Sequence, residues 1–223
     1  MIRIVSIWLV ALIALFVLSS CALTNKAQPT IPRFFSPELK QSASRDAAPP
    51  RAAGVGPVIE LRLGRVQAAA HIREKIIYRN SEHELGFYDE LLWTERPEAY
   101  LRRALTHKLF EEEGVRSIVT GAGSTLDVEL VSFEEIRQPQ HVGLGRVTMG
   151  LREDRAVRRE QTLQVERPIP TVEKGQLPGA IAAALGEALR DAVQQITARV
   201  LPELTPPPAG PVTPTGPARA DAK

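Results

Sequence analysis

Cys21 is the only cysteine in this chain of 223 residues, and it ends an apolar N-terminal segment. A single cysteine cannot form an internal disulfide, and it cannot build a cysteine-ligated zinc site by itself. The fold must therefore be stabilised by a hydrophobic core. The residues that follow the apolar segment are numerous enough for one domain with a core of useful size, but hardly for two.

The residues that lead to Cys21 are typical of a bacterial lipobox. Arg3 supplies a positive charge, residues 4–18 are apolar apart from one serine, and two small residues precede the cysteine. The apolar run is about 15 residues long, whereas a membrane-spanning helix needs roughly 20. We therefore predict a lipoprotein signal peptide at residues 1–20 and acyl chains such as palmitate on Cys21. An uncleaved membrane anchor and an ordinary secretory signal are the alternatives.

Ala22 follows the predicted lipidation site. In Gram-negative lipoproteins of this kind, an aspartate at that position usually retains the protein at the inner membrane. Two or more acyl chains anchor a protein stably, whereas a single chain binds reversibly. Because residue 22 is alanine rather than this aspartate, we expect the protein to be lipid-anchored in the outer membrane, on its periplasmic face.

The near-neutral charge balance argues only against a partner that binds mainly by electrostatic attraction. The chain has 28 Lys and Arg against 26 Asp and Glu, which gives a net charge of +2. A nucleic-acid-binding domain usually carries a marked basic excess on one face. We therefore expect no nucleic acid among the partners.

The two ends of the mature chain differ in composition from the part between them. Residues 21–56 are rich in small and polar residues and lack hydrophobic periodicity, which predicts a flexible tether after the lipidated cysteine. Residues 205–223 contain six prolines, which predict an extended or disordered tail. The folded domain is therefore expected at residues 57–204.

Seven segments of this central region have patterns typical of β-strands. They are Pro57–Val66, Lys75–Arg79, Leu85–Trp93, Val115–Thr120, Leu126–Phe133, Val142–Arg152 and Glu160–Arg167. The first three are expected to form a meander. Gly121–Ser124 is expected to be a turn that joins two strands, and residues 153–155 are expected to close a hairpin.

Two further segments have apolar residues at helical spacing. The first has Thr94 as its expected N-cap, Pro97 in its first turn and Gly114 as its end. The second runs from about Pro178 to Leu201, with Pro202 expected to end it, and its alanines and glycine permit close approach to a sheet or to another copy. The order β-β-β-α-β-β-β-β-α predicts an α+β fold, with two main helices packed on one face of a largely antiparallel sheet.

The chain lacks the residue patterns that most enzyme and metal sites require. Its four histidines are scattered rather than paired at metal-ligand spacing, and Gly121–Ser124 lacks the lysine of a phosphate-binding loop. No serine lies in a Gly-x-Ser-x-Gly elbow, and an acylated Cys21 cannot act as a nucleophile. The carboxylate runs Glu111–Glu113 and Glu134–Glu135 are typical of polar surface. We expect no catalytic residue, no metal and no cofactor.

One set of residues resembles a known family. The set comprises Ile77-Tyr78-Arg79, Phe87-Tyr88, Trp93, Pro97 and a helix with Leu101, Leu105 and Leu109. Together with the lipobox, it resembles the ABC-type transport auxiliary lipoprotein family, most clearly over residues 60–109. The family has no catalytic residues to transfer. Its motif residues here, Tyr78, Arg79, Phe87, Tyr88 and Trp93, are explained either by a sheet core with an aromatic–arginine contact or by direct partner binding.

The resemblance implies a lipid-anchored accessory subunit that docks an ABC/MCE-type lipid transport system at the outer membrane. The partners it implies are an MCE-domain protein and an inner-membrane ABC permease with its ATPase. A homo-oligomer is compatible with it, since one small domain cannot enclose a channel. The alternative is a stand-alone lipid- or ligand-binding envelope lipoprotein, which would hold an acyl chain between sheet and helices. An envelope enzyme is a third class, and it would need a clustered polar site.

Overall fold

The computed structural model describes residues 31–37, 59–153 and 156–204. The predicted signal peptide, Cys21, most of the predicted tether and the proline-rich tail lie outside the described residues. The chain divides into two compact units, Met1–Ile31 and Pro32–Lys223. The fold below belongs to the second of these units.

The described residues form eight strands in one sheet and two helices. The strands are β1 (Arg33–Phe35), β2 (Glu60–Ala68), β3 (Lys75–Arg79), β4 (Leu85–Trp93), β5 (Arg116–Ser117), β6 (Ser124–Ile136), β7 (Val142–Glu153) and β8 (Ala156–Pro168). The helices are α1 (Pro97–Thr106), which continues as a π-helical segment (His107–Glu112), and α2 (Leu177–Leu204). From β2 to α2 the predicted order of elements is confirmed.

The longest ladders of the sheet lie around β6 and β7. β6 pairs antiparallel with β7 from Ser124↔Glu153 to Ile136↔Val142, and β7 pairs antiparallel with β8 along its whole length. This second pairing confirms the hairpin predicted at residues 153–155. Shorter parallel ladders join β1 to β4, β2 to β5 and β6, and β3 to β6. The α+β class is confirmed, and by ladder length the sheet is largely antiparallel.

The meander predicted for β2, β3 and β4 is wrong. β7 occupies one edge of β6 over its full length, so β2 and β3 lie one after the other along the opposite edge, both parallel to β6. Residues 69–74 separate the two short strands, and only β3 and β4 pair antiparallel. The alternation in each strand predicts which face is buried but carries no information about a partner more than fifty residues away.

Gly121–Ser124 lies between two strands, β5 and β6, as expected, but these strands do not pair with each other. β5 and β6 lie on opposite edges of β2, and both run parallel to it. The connecting loop crosses β2, where Arg62 donates hydrogen bonds to the carbonyl oxygens of Val119 (3.1 Å) and Gly121 (2.8 Å). Gly121 and Gly123 have φ angles of 97° and 150°, which glycine adopts at little cost.

Helix α1 begins two residues later than predicted. Arg96 is its N-cap residue and Pro97 its first residue. The Thr94 hydroxyl does not cap the helix but hydrogen-bonds to the Tyr100 hydroxyl. After the π-helical segment, Gly114 adopts a left-handed φ of 69°, which confirms it as the end of the helical region.

Helix α2 does not end at Pro202 as predicted, because Pro202 lies inside its last turn. A proline removes one helical hydrogen bond, and here only two helical residues follow it, so little of the helix depends on that bond. Among the described residues, no helix combines the length and the apolarity that crossing a membrane requires.

Both helices cover the same face of the sheet. α1 packs on β2 and β6, α2 packs on β6, β7 and β8, and the helices touch each other. The small residues of α2 do permit close approach, since Gly143 of β7 faces Ala184 and Leu185, and Gly145 faces Ala188. The sheet residues that fill this layer are fully buried and apolar, namely Leu61, Leu126, Leu130, Phe133, Val147, Met149 and Leu151.

Strand β1 lies inside the segment predicted to be a tether. It pairs parallel with the edge of β4, and the N–H of Thr94 donates a 2.9 Å hydrogen bond to the Phe35 carbonyl oxygen. Phe35 packs against the core, and Pro37 is buried. The tether prediction missed this strand because three residues in a polar segment are too few to show a hydrophobic periodicity. These residues form a strand because they pair with the edge of β4.

Candidate functional site

Trp93 is a core residue. Its side chain is 2% exposed, and its ring centroid lies 5.3 Å from that of Phe133. Its backbone N–H donates a 2.6 Å hydrogen bond to the Glu74 carbonyl oxygen. The contact joins the end of β4 to β6, so the geometry of Trp93 supports a structural role.

Tyr78 of β3 and Tyr88 of β4 face each other, with Arg137 against both rings. The two ring centroids are 5.1 Å apart at an interplanar angle of 67°. The Arg137 guanidinium carbon lies 3.7 Å from the Tyr78 centroid and 5.3 Å from the Tyr88 centroid. Such contacts are attractive because the face of an aromatic ring is electronegative. Gly86 makes room for them, since a Cβ at this position would collide with the Tyr78 ring.

A buried carboxylate, Glu135, lies beside the tyrosine pair. Its side chain is only 2% exposed; the Tyr88 hydroxyl donates to Oε2 at 2.6 Å, and His141 Nε2 lies 2.6 Å from Oε1. Arg137 Nη2 in turn donates a 2.8 Å hydrogen bond to the Tyr88 hydroxyl oxygen. Burial and the hydrogen bond to Glu135 raise the pKa of Tyr88 to about 12. Tyr88 therefore keeps its proton and remains a donor to the carboxylate at neutral pH.

Arg79 makes a different contact from the one that its motif suggests. Its Nε and Nη2 donate to the two oxygens of Glu134 at 2.9 and 3.1 Å, and its Nη1 donates to the Glu82 carbonyl oxygen at 3.2 Å. This two-point pairing is the strongest geometry for an arginine and a carboxylate. The arginine of the aromatic–arginine contact is therefore Arg137, whereas Arg79 neutralises a buried acid.

The interpretation of Glu134–Glu135 as polar surface is wrong. Both residues are buried, because successive residues of β6 point to opposite faces and each carboxylate meets its own basic group. Glu111 and Glu112 do fit a polar surface, where they pair with His107 and Lys108.

Phe87 is the outward-facing residue of the motif. It is 43% exposed, although its register partner on β3, Ile77, is buried. The structure therefore divides the five motif residues. Trp93 is a core residue, Tyr78 and Tyr88 belong to a half-buried network, Arg79 is an ion-pair partner, and Phe87 is a surface aromatic.

Sequence reasoning missed Glu135, Arg137 and His141 as members of one cluster. They are joined by Asn80, whose Oδ1 accepts a 3.0 Å hydrogen bond from Arg137. The only available signal was the pair of acids near the end of a strand pattern. Nothing local indicates that the β6–β7 connection folds back over β3 and β4.

The face of the sheet opposite the helices carries a cavity of about 610 Å³. Four neighbouring strands, β2, β6, β7 and β8, form its floor. The residues that line it are polar residues, glycines and two valines, namely Gly64, Arg65, Gln67, Thr125, Asp127, Val128, Glu129, Thr148, Gly150, Arg152, Val157 and Glu160. A Cβ placed at Gly150 would have no atom within 4 Å, so this glycine leaves the centre of the floor open.

Asp127 supports one side of this cavity. Its Oδ1 accepts a 2.7 Å hydrogen bond from the Arg65 backbone N–H, and its Oδ2 is paired with Arg152. A Cβ at Gly64 would collide with the Asp127 carboxylate, so glycine is needed where this side chain crosses β2. Glu129 and Glu160 also line the cavity, and neither has an ion-pair partner among the described residues.

Metal-ligating side chains are dispersed in the described part of the chain. Within residues 31–37, 59–153 and 156–204, no three residues among His, Cys, Asp and Glu are placed to hold a metal ion. His71 and His83 are exposed, and His107 pairs with Glu111 at 2.8 Å.

The fold thus defines a class of domain in which helices cover one face of a sheet and the other face is open to contact. A family model for the ABC-type transport auxiliary lipoprotein component matches residues 38–197. The match spans more than half of the chain, and the chain belongs to this family. The resemblance carried by the residues from Tyr78 to Trp93 is confirmed, and with it the general role of a lipoprotein that assists ABC-type transport.

Solved structures with a similar fold include a Xanthomonas campestris protein of the DUF330 family. Its TM-score is 0.60 at 19% identity, over 76% of this chain and 95% of that one. An uncharacterised protein has a TM-score of 0.50 at 14% identity, over 65% of this chain and 94% of that one. At these identities the likeness shows the fold alone. A minor lipoprotein from Acinetobacter baumannii matches with a TM-score of 0.38 at 16% identity, over 64% and 92% of the two chains. No curated protein matches this chain.

Proposed function

We propose that this chain is a lipid-anchored, periplasm-facing accessory subunit that docks an ABC/MCE-type lipid transport system at the outer membrane. The observation that carries the proposal is the family match over residues 38–197. The lipobox supports acylation of Cys21, and Ala22 after it supports the outer membrane as the destination. The partners proposed are an MCE-domain protein and an inner-membrane permease with its ATPase.

The chain is proposed to contribute attachment rather than chemistry. Its sequence has no phosphate-binding loop, so ATP hydrolysis is assigned to the separate ATPase. One domain of this size cannot surround a lipid path, so a homo-oligomer is the form in which the subunit would line one. In this scheme the acyl chains hold the protein at the membrane, and the sheet domain contacts the MCE-domain protein.

Four of the motif residues are assigned to internal support. Tyr78, Arg79, Tyr88 and Trp93 each make side-chain contacts within the sheet. Phe87 is 43% exposed, so it is the motif residue whose side chain is available to contact a partner. This assignment favours the structural interpretation of the motif over direct binding by all five residues.

The docking surface proposed for the MCE-domain protein is the cavity on the open face of the sheet. Helices cover the other face, and the floor around Gly150 has room for a partner side chain. Glu129 and Glu160 offer two carboxylates, and Arg65 one guanidinium, without ion-pair partners among the described residues. This excess of one negative charge suits a partner segment with basic or hydrogen-bond-donating side chains.

The test is crosslinking in living cells, followed by mass spectrometry of proteins that co-purify with the tagged full-length chain. Gly150→Trp places a large ring at a position where a Cβ has no atom within 4 Å, and Val119→Trp, at a position 85% exposed outside the cavity, is the matched control. We expect the wild type and Val119→Trp to recover an MCE-domain protein, and Gly150→Trp to lose it. Recovery by both variants would reject the cavity as the docking surface but keep the accessory role.

Recovery of lipid without any transporter component would instead favour the stand-alone carrier. That alternative needs an acyl chain between sheet and helices. Fully buried side chains such as Leu126, Phe133, Leu185 and Ile196 occupy that layer, so the packing gives the carrier little support. The cavity of about 610 Å³ lies on the opposite face of the sheet, away from that layer.

A further inference from the structure

Strand β1 shortens the free chain between the predicted lipid anchor and the folded domain. Only eleven residues separate Cys21 from Arg33, the first residue of β1. The composition alone predicts a tether up to residue 56. The difference matters because the length of the free chain limits how far the domain can move from the membrane.

The attachment at β1 rests on several contacts. Arg33, Phe34 and Phe35 are in register with Leu91, Leu92 and Trp93, and the Phe35 carbonyl accepts a hydrogen bond from Thr94. Phe35 packs on the core. Pro37 is buried, and its carbonyl lies against Gly186 of α2, where a Cβ would collide with it. The chain is therefore held to both the sheet and a helix just after the short linker.

The geometry of a short linker restricts the orientation of the domain. A chain of eleven residues spans about 18 Å on average as a random coil and at most about 40 Å when fully extended. From β1 to β8 the sheet crosses β4, β3, β6 and β7, which places its two edges about 24 Å apart at about 4.8 Å per strand. The average reach of the linker is thus less than the width of the sheet.

The residue at the end of this linker is suited to a lipid surface. Phe34 is 61% exposed, and its register partner Leu92 is half-buried. An exposed apolar ring gains free energy when it leaves water for the boundary between headgroups and acyl chains. The neighbouring Asp89 is already paired with Lys75 at 2.8 Å. Arg33, also exposed on β1, lies with its guanidinium carbon 5.4 Å from the Phe35 ring centroid. The edge therefore presents an apolar ring beside one basic group, a combination that suits a lipid surface with anionic headgroups.

We propose that the β1–β4 edge is the membrane-facing edge of the domain, with Phe34 in contact with the lipid surface that holds the acylated Cys21. This inference rests on the proposed lipid anchor. It directs the opposite edge, formed by β8, away from the membrane. Residues 38–58 are then an internal connection between β1 and β2 and add nothing to the reach of the anchor.

The experiment uses the full-length acylated protein in vesicles of phosphatidylethanolamine and phosphatidylglycerol that carry nitroxide-labelled headgroups. Cys21 is the only cysteine and its sulfur is acylated in the proposal, so a second cysteine can be labelled selectively. A fluorophore is attached at Phe34→Cys or, as the matched control, at Val157→Cys, an exposed apolar position on β8. We expect loss of most of the fluorescence at position 34 and almost none at position 157.

A Gly/Ser insertion of 24 residues after Thr24 tests the role of linker length. It raises the average reach to about 33 Å, and the quenching at position 34 is expected to fall. Equal quenching at positions 34 and 157 would overturn the inference while the anchor stands. Quenching at position 34 that persists with the insertion would show that the edge itself, and not only the short linker, holds the domain against the lipid surface. Flotation of the same vesicles reports the anchor itself. A protein that fails to float would reject both the anchor and the orientation.

Discussion

Two glycines on strand β7, Gly143 and Gly150, face opposite sides of the sheet and differ in the room around them. A Cβ at Gly143 would lie 3.0 Å from the Leu185 nitrogen and 3.1 Å from the Ala184 carbonyl carbon. A Cβ at Gly150 would have no atom within 4 Å. One strand therefore carries a closely packed face under α2 and an open face with a cavity.

Glycine therefore serves a different purpose on each face of the sheet. On the covered face, glycine lets a helix backbone approach the strand, so substitution should cost stability. On the open face, glycine leaves space in front of the sheet, so substitution should leave the fold intact and affect only what binds there.

The largest expected effect separates two phenylalanines. Phe133 is fully buried against Trp93, whereas Phe87 is 43% exposed. Phe133→Ala should lower the free energy of unfolding by about 3–5 kcal/mol, because it removes a large buried ring and leaves a cavity. Phe87→Ala should change it by less than about 1 kcal/mol. Urea unfolding of the purified variants measures both values. Similar decreases in the free energy of unfolding would contradict the difference in packing between the two faces of the sheet.

The next effect compares the two glycines. Gly143→Val should destabilise the protein by about 2–3 kcal/mol, since the new side chain meets helix backbone that cannot move without repacking α2. Gly150→Val should be neutral within about 0.5 kcal/mol, because valine suits a strand and its Cβ would have no atom within 4 Å. Unfolding midpoints in urea compare the pair directly. A neutral Gly143→Val would show that the helix packs less closely than described.

The face of the sheet opposite the helices is not open everywhere, and the exception lies near the C-terminal end of β6. Glu134 is on the side opposite the helices, yet it is 2% exposed and is neutralised by Arg79. Arg79→Ala should cost about 2 kcal/mol because it leaves a buried carboxylate without its partner, and the exposure of the arginine keeps the cost below that of a fully buried pair.

Two controls sharpen this result. Arg146→Ala removes an arginine whose partner is the neutral Gln164, and its effect should stay within about 0.5 kcal/mol. The double variant Arg79→Met with Glu134→Leu should recover much of the lost stability, since no charge then remains buried. A double variant as unstable as Arg79→Ala would mean that the pair contributes more than neutralisation.

The smallest effect concerns the pH dependence caused by Tyr88. Burial and Glu135 raise the pKa of Tyr88 in the folded protein to about 12, above the value near 10 of an unfolded tyrosine. Its contribution to stability is therefore complete below about pH 10 and is lost as the pH rises through about 12. Over this range the wild type should lose stability more steeply than Tyr88→Phe.

The readout is the free energy of unfolding at several alkaline pH values, together with tyrosinate absorption. Tyr100→Phe is the control, because it removes a tyrosine hydroxyl that binds Thr94 rather than a buried carboxylate. This control reports how far the loss of a buried tyrosine hydroxyl alone lowers the free energy of unfolding. Identical slopes for the wild type and Tyr88→Phe would contradict the network around Glu135.

Much of the fold could be predicted from local pattern. The alternation in β6 and β7 and the helical spacing in α2 identify buried positions such as Leu130, Val147 and Leu189, because each periodicity reports one buried face. The candidate site could be predicted only in part. Tyr78 and Tyr88 were singled out, but Glu135, Arg137 and His141 reach them across more than forty residues of sequence.

By itself, the sequence determined the α+β class, the order of elements from β2 to α2 and the family to which the chain belongs. These follow from side-chain periodicity and from short motifs, which are properties of neighbouring residues. The tertiary structure decided that β2 and β3 share one edge of β6, that Glu134 and Glu135 are buried, and that β1 joins the sheet. Each of these depends on contacts between distant segments, whose free energy exists only once the sheet has assembled.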